Sequence, residues 1–370
     1  MRITHLYKHY WPHPGGVERA MHSLARLCAA EGHEVRAIVA AETPRRTRGI
    51  VDGVEVIGLP SLGELLSMPL APTYLWPPAR EGEILHVHES FPLATLAALA
   101  RLRRGRAAAI VTWHFDVVRQ RSLAPLHRWL ASRLLARASA IHVTSDLLAS
   151  RSRVLARFPA KVRVIPHVVD VARFARAPDH PAARRLRAWA GEDPVALFVG
   201  RLVYYKGVDV LLDALARVPR LRLAVVGDGP LRDDLRARAE RIGVGPRIRW
   251  LGPVSDDGLV GAYSGADVLA LPSTAPTETF GMVQVEAMAA GLPVVSTRLG
   301  TGVERVNADG VTGRVVAPGD ADALAAALGA IAEDAGLRSR YGAAARERAR
   351  EFDAAHLRAR YLALYAEATR

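Results

Sequence analysis

Cysteine is almost missing from this sequence. Cys28 stands alone, which excludes an intrachain disulfide and points to a reducing compartment, the cytosol. No run of about 18 apolar residues occurs, so no membrane-spanning helix is expected. The opening MRITHLYKHYW lacks the apolar core of a signal peptide. Aromatic residues make up only 6 % of the chain and do not interleave with its arginine runs. A basic nucleic-acid-binding protein built on base stacking would need that interleaving. This out-of-class alternative is therefore set aside, and no nucleic-acid partner is expected. The dinucleotide fingerprint G-x-G-x-x-G is missing as well.

What is present is bulk and positive charge. A chain of 370 residues suits two domains of roughly 150–200 residues, with enough apolar residues for two cores. The net charge is +13, carried mostly by arginine, which suits anionic partners such as phosphorylated ligands or anionic lipid.

The first half reads as parallel βαβ units. Ile3 to Tyr7 is a short strand, Lys8 to Gly16 a loop, Val17 to Ala30 a helix and Val35 to Ala40 a strand. Gly15 and Gly16 at the helix start would let backbone N–H groups approach a phosphate, though taken alone the pair is a weak signal and a plain turn is the commoner explanation. Val51 to Leu59 reads as one strand, and residues 60–80, with several prolines, as a loop or short-helix region. Ile84 to His88 and Ile110 to His114 are buried strands, so His88, His114 and Asp116 fall at carboxyl ends, where open α/β sheets bind ligands. Zinc on His86, His88 and His114 is an alternative, discounted because no fourth ligand of clear spacing appears. Residues 119–137 place Leu126, Trp129, Leu130, Arg133, Leu134 and Arg137 at helical spacing. That is a core-packed helix with a solvated basic edge, or a face for anionic lipid, joined by Arg101, Arg103, Arg104 and Arg106.

The second half repeats the pattern. The strand Val195 to Val199 leads into Gly200-Arg201-Leu202-Val203-Tyr204-Tyr205-Lys206-Gly207 and a helix from Val208. Arg201 and Lys206 could clamp a diphosphate, one as a bidentate fork and one as a point charge. Residues 171–193 read as the interdomain connection. The stretch TETFGMVQVEAMAAGLPVVST, Thr277 to Thr297, sets Glu278 just ahead of a helix start and Glu286 two turns inside it. Plain capping is one reading.

The whole string resembles the E-x7-E element of family 4 of the retaining GT-B glycosyltransferases, through Glu278, Phe280, Gly281, Glu286, Ala287, Met288, Gly291 and Pro293. G-R-L-x-x-x-K-G resembles the same family's donor phosphate motif, and H-x-D-V-V-R-Q resembles members that transfer mannose or rhamnose in bacterial surface polysaccharide assembly. The resemblance runs through nearly the whole chain. His167-Val168 stands where the family has Asn-Gly, which puts the local backbone in question, since valine tolerates φ > 0 poorly.

The resemblance implies an α/β fold of two Rossmann-like domains facing a cleft. Residues 1–180 would bind acceptor, 190–350 the nucleotide sugar, and a helix within 351–370 would cross back to the first domain. It implies an enzyme that moves a hexose from a nucleotide-diphosphate sugar, GDP-mannose favoured, to a glycan or lipid-linked acceptor. A UDP-hexose donor, or a sugar-nucleotide epimerase or hydrolase on the same fold, stays open. Carried over by residue, Arg201 and Lys206 stabilise the departing diphosphate and Gly15 and Gly16 face it. Glu278, with Thr279, Phe280, Gly281, Met282 and Val283, positions the sugar. Glu286 holds the ribose and Val254 meets the base. His114 sits by the reacting centre, and His88 and Asp116 face the acceptor. No cofactor and no metal are expected, because two fixed cations serve the leaving group. The implied location is cytoplasmic, with a peripheral place on the inner face of the membrane left open.

Overall fold

The computed structural model describes residues 1–369 apart from 66–67, 79, 106 and 115–123. The chain divides into two compact units, one of Met1–Val168 with Ala354–Arg370, the other of Val169–Asp353. Residues 171–193 thus belong to the second unit, where they carry a helix of their own.

In the first unit β1 (Arg2–Leu6), α1 (Gly16–Ala30) and β2 (Glu34–Ala40) form the opening parallel βαβ unit. β3 (Thr47–Val51), β4 (Val54–Leu59) and a small ribbon of β5 (Glu64–Leu65) and β6 (Met68–Pro69) follow. β7 (Glu83–Glu89), α2 (Pro92–Leu102), β8 (Ala107–Trp113), α3 (Ala124–Arg137), β9 (Ala140–Val143), α4 (Asp146–Arg151) and β10 (Val162–Val164) complete the alternation. The strand order is β10-β9-β8-β7-β1-β2-β4-β3, parallel except where β3 meets β4. The single strand expected over Val51 to Leu59 is a hairpin instead. Asp52 and Gly53, with φ of 47° and 80°, supply the two left-handed residues that a two-residue hairpin turn demands. Val168 has none of the strain that its sequence context suggested. Asp52 is the one non-glycine residue with positive φ among the described residues.

A central parallel strand is buried on both faces, so its residues need partners on both. On one side of β7, Glu83 accepts hydrogen bonds from Thr4 Oγ1 and Arg36 Nη2, each at 2.6 Å, and also pairs with Arg101. Arg101 is therefore buried and does not join the surface arginines as the sequence suggested. Arg103 and Arg104 remain exposed.

The second unit begins with α5 (Pro181–Ala190). It continues through β11 (Val195–Val199), α6 (Val208–Ala216), β12 (Arg222–Val226), α7 (Arg232–Arg241), β13 (Ile248–Gly252), α8 (Asp256–Gly265) and β14 (Val268–Leu271). α9 (Met282–Ala289), β15 (Val294–Thr297), α10 (Val303–Val306), β16 (Gly313–Val316), α11 (Ala321–Glu333) and α12 (Ala335–Ala349) close it. The all-parallel order is β13-β12-β11-β14-β15-β16. The final helix, α13 (Ala354–Glu367), belongs to the first unit, where Leu357, Tyr361, Leu364 and Tyr365 enter its core.

In each unit the strand order reverses once, between β1 and β7 and between β11 and β14. Loops leaving the carboxyl ends of the two strands at such a reversal part to opposite sides, which opens a crevice.

Candidate active site

The loops after β11 and β14 carry the second unit's candidate site residues. Lys206 ends a short 3-10 turn, Tyr204–Lys206, and Gly207 is the N-cap of α6. Gly207 has φ of 65°, and a Cβ there would lie 2.1 Å from the Pro272 carbonyl oxygen. Only glycine lets the two loops approach this closely. Tyr205 O accepts from Thr274 N at 2.7 Å, which ties the loops together.

The approach brings Lys206 Nζ to Glu278 Oε2, 2.5 Å away, and Ser273 Oγ donates to the same oxygen at 3.1 Å. Both charged groups are largely withdrawn from water, with 12 % and 10 % of their side chains exposed. Desolvation works to lower the Lys206 pKa. The neighbouring charge of Glu278, the adjacent Tyr205 and the hydrogen bond that Lys206 donates to Glu278 outweigh it, so the net shift is upward and the ammonium stays charged. Thr297 Oγ1 donates to Ser273 O at 2.5 Å, and Thr301 Oγ1 to Glu278 O at 2.8 Å. Gly302 N donates to Thr279 O at 2.7 Å. The Glu278 backbone is thus fixed from β15 and the loop that follows it.

α9 starts at Met282 because Gly281, at φ 70°, turns the chain into it. Gln284 Nε2 donates to Phe280 O at 3.0 Å. The Phe280 ring is core, edge-on to Phe352 with centroids 5.8 Å apart. Met282 is buried, Thr279 and Val283 are half-buried, and Val283 packs on Leu271, Leu299 and Val303. Glu286 is buried two turns in, where its Oε2 accepts from Tyr263 of α8 at 2.7 Å. The two glutamates therefore hold different partners. Arg201 is exposed in the loop after β11, and Val254 is half-buried between β13 and α8. One D-x-D string does occur, Asp320-Ala321-Asp322. Asp320 caps α11 through Ala323 N at 2.9 Å, and Asp322 pairs with Arg217 at 2.5 Å.

In the first unit Gly15 and Gly16 open α1 as expected. A Cβ on Gly15 would lie 2.0 Å from Glu18 Oε2, so a carboxylate already sits against the glycine loop. Period-two alternation puts His5, His86, His88, Thr112, His114 and His142 on one face of four adjacent strands and just beyond, in register His5 with His86, His88 with Thr112 and Thr112 with His142. All are buried. His5 Nδ1 lies 3.0 Å from His88 Nε2, and His88 Nδ1 lies 3.1 Å from His114 Nε2. A second row runs from Tyr365 Oη to His86 Nδ1 (2.6 Å), His86 Nε2 to Thr112 Oγ1 (2.6 Å), Thr112 Oγ1 to His142 Nδ1 (2.9 Å) and His142 Nε2 to Ile165 O (2.7 Å). His167 stacks on His114, with centroids 5.5 Å apart. Burial depresses these imidazoles, to about 3 for His5 and His114 and about 4 for His142, so they are neutral at pH 7.

Asp116 lies outside the described residues, as do Arg106, Arg119 and Gln120. His5, Tyr7, Glu89, His142 and His167 were not read as site residues. The signal for His5 was its parity with Tyr7 on a buried strand. Glu89, at the carboxyl end of β7, accepts from Thr95 Oγ1 at 3.1 Å and lies 3.6 Å from His127 Nε2. Burial pushes its carboxyl up to about 7, against the hydrogen bonds from Thr95 and the Phe91 backbone. The closest metal-like group among the described residues is His5, His86 and His88, with one ligand atom each within 4.8 Å of the others. Both nitrogens of His86 and of His88 already have partners, and His114 is not in the group. A metal ion there would have to displace one partner from each of those two rings.

Known proteins share this fold. Over 99 % of its length the chain is similar in structure to sucrose-phosphate synthase from Thermosynechococcus elongatus (98 % of that chain, TM-score 0.84, 23 % identity). A crystal structure of Anabaena HepE in complex with UDP matches over 99 % of this chain and 100 % of that one (TM-score 0.77, 22 % identity). These likenesses define the fold class, GT-B. In sequence, residues 14–173 match the family described as Glycosyltransferase Family 4, and residues 179–348 match Glycosyl transferases group 1. O-antigen chain mannosyltransferase C of Escherichia coli is 31 % identical, over 99 % of this chain and 98 % of its own. The D-rhamnosyltransferase WbpZ of Pseudomonas aeruginosa is 31 % identical over 89 % and 86 %. Phosphatidyl-myo-inositol mannosyltransferase of Mycolicibacterium smegmatis is 32 % identical over 99 % and 93 %. The chain belongs to family 4 of the GT-B glycosyltransferases, and it is a glycosyltransferase.

Proposed function

We propose that the protein transfers mannose or rhamnose, with retention at the anomeric carbon, from a GDP-sugar to a glycan or lipid-linked acceptor in polysaccharide or glycolipid synthesis. The observation that carries this reading is the Lys206–Glu278 couple at the β11–β14 reversal. In the free protein each charge neutralises the other. An incoming diphosphate, doubly anionic, competes for Lys206, with Arg201 in the same loop as a second cation. Lys206 then stabilises charge developing on the leaving group, and Glu278 is released to accept hydrogen bonds from sugar hydroxyls. Glu286 takes the ribose hydroxyls, while the backbone at Phe280-Gly281 sets the sugar against the start of α9. Two fixed cations make a metal unnecessary for departure of the diphosphate. Attack on the same face as the leaving phosphate needs no carboxylate base, and none is assigned.

The choice of mannose or rhamnose is supported by the three relatives, whose names specify mannosyl or rhamnosyl transfer. Their acceptors, an O-antigen chain and phosphatidyl-myo-inositol, support a glycan or lipid-linked acceptor. A peripheral place at an anionic membrane is supported by α3, where Leu126 and Trp129 are exposed and Arg133 lies 3.9 Å above the Trp129 ring. No described helix is long and apolar enough to cross a membrane.

The test is calorimetric titration with GDP, UDP and dTDP in the presence of a metal chelator. Selective binding of GDP is expected. Preference for UDP would keep the transferase and overturn the donor. No binding of any of the three would overturn the roles given to Lys206 and Glu278.

A further inference from the structure

Three neutral imidazoles joined end to end can be protonated in only two ways. Each ring donates through one nitrogen and accepts through the other, so choosing one proton chooses all three. In the row His5, His88, His114 the choice is made at the His5 end. His5 Nε2 is buried, and among the described residues no hydrogen-bond partner reaches it. If His114 donated to His88, and His88 to His5, the last proton would sit on that nitrogen as a buried, orphaned N–H. Such groups are rarer in folded proteins than acceptors lacking a donor. The opposite sense leaves His5 Nε2 as a bare lone pair. His5 Nδ1–H then donates to His88 Nε2, and His88 Nδ1–H donates to His114 Nε2.

The neighbouring row is fixed from its other end and runs separately. Ile165 O can only accept, so His142 carries its proton on Nε2 and accepts from Thr112 through Nδ1. Thr112 has spent its one proton, so His86 Nε2–H must donate to Thr112. His86 Nδ1 is left to accept from Tyr365. No proton in this row is left over to reverse the first.

We propose that His88, backed by His5, is a positioning residue that locks His114 in the Nδ1–H tautomer. The inference rests on the reading that His114 stands beside the reacting centre, and it gives that residue its chemistry. A neutral ring whose Nε2 is occupied by His88 can donate from Nδ1 to a sugar hydroxyl or to an oxygen gaining negative charge. It has no lone pair free to take a proton from the acceptor. His114 thus acts as a fixed hydrogen-bond donor and not as a base.

The experiment is long-range 15N–1H correlation spectroscopy of histidine-labelled full-length protein at pH 7.5, in wild type, His88→Phe and His88→Asn. Wild-type His114 is expected to show a protonated Nδ1 and an unprotonated Nε2. In His88→Phe the ring should revert to a mixture rich in the Nε2–H form, which free imidazole side chains prefer in water. In His88→Asn, whose amide N–H can replace the lost donor, the Nδ1–H form should return. An Nε2–H ring in the wild type, or an unchanged tautomer in His88→Phe, overturns the lock. Transfer and GDP binding are measured on the same samples, with kcat expected to fall at least tenfold in His88→Phe and to recover in His88→Asn, and with GDP affinity constant. A tautomer that switches while transfer is unaffected supports the lock and overturns the placement of His114 beside the reacting centre.

Discussion

Lys206 is one of three lysines in the chain, beside Lys8 and Lys161, and it is the one held by a buried carboxylate. Replacing it with alanine should lower kcat by about 10²- to 10³-fold, the usual consequence of removing one fixed stabiliser of transition-state charge. With Arg201→Ala added, transfer should fall below detection in a coupled assay for released nucleotide. Full activity in the double variant would reject the clamp. Glu89 makes a prediction of the opposite kind, about pH. Its folded pKa, about 7, lies above the usual carboxylate value, so between roughly pH 4.5 and 7 the native state holds a proton that the unfolded chain releases. Its contribution is complete at low pH and is lost as pH rises through 7. The full span is on the order of 3 kcal/mol at 1.36 kcal/mol per unit. The buried histidines act in the opposite sense over much of this range, so Glu89→Gln should make stability climb more steeply with pH than in the wild type in urea titrations, and an unchanged slope would refute the assignment. Both acidic members of the second unit's site were legible as residues, because Glu278 and Glu286 frame a helix start. Their partners were not. Lys206 lies 72 positions from Glu278, and only the adjacency of β11 and β14 makes them neighbours.

At the level of elements, strands and helices were legible wherever one period ran uninterrupted. The helix expected from Val208 to Ala216 is α6 with the same bounds. Failures came where the chain reversed or where one residue type served two purposes. The Asp52-Gly53 turn split an apparent single strand because its flanks are both β-branched, and periodicity does not register a reversal of direction. The histidine face was half legible. Alternation along Ile84 to His88 marks His86 and His88 as sharing a side, but the parity of His5 and His142 matters only once β1, β7, β8 and β9 are known to be adjacent. α3 carries a prediction of its own. Its exposed Leu126 and Trp129 beside Arg133 should hold the protein on vesicles containing anionic lipid through apolar insertion and charge together. Trp129→Ala with Arg133→Ala should at least halve sedimentation with such vesicles and leave GDP binding unchanged. Equal sedimentation of the variant would locate membrane contact elsewhere or nowhere.

Across the whole molecule, the buried imidazoles are concentrated in one unit. His5, His86, His88, His114, His142 and His167 all lie in the first unit and all have lowered pKa values, chiefly through burial. Each is neutral when folded and protonated when unfolded below about pH 6.5, so the unfolded chain binds more protons there. Stability is full above pH 6.5 and falls as pH drops, by about 1.4 kcal/mol per pH unit for each histidine involved. Acid unfolding should therefore start in the first unit, between pH 6 and 4. Amide exchange should rise in β1, β7 and β8 before it rises in β11 and β14. Simultaneous exchange in both units would show that some other group governs acid sensitivity.

The return of α13 to the first unit bears on how the protein is made. A ribosome delivers Met1 to Val168 first, but Tyr361 and Tyr365, which close the histidine face through His142 and His86, are delivered only after the whole second unit. The later-synthesised unit is complete in itself and can finish while the earlier one waits with polar rings and apolar strands uncovered. Order of folding then inverts order of translation. During that wait a chaperone has most to shield in the part of the chain that emerged first.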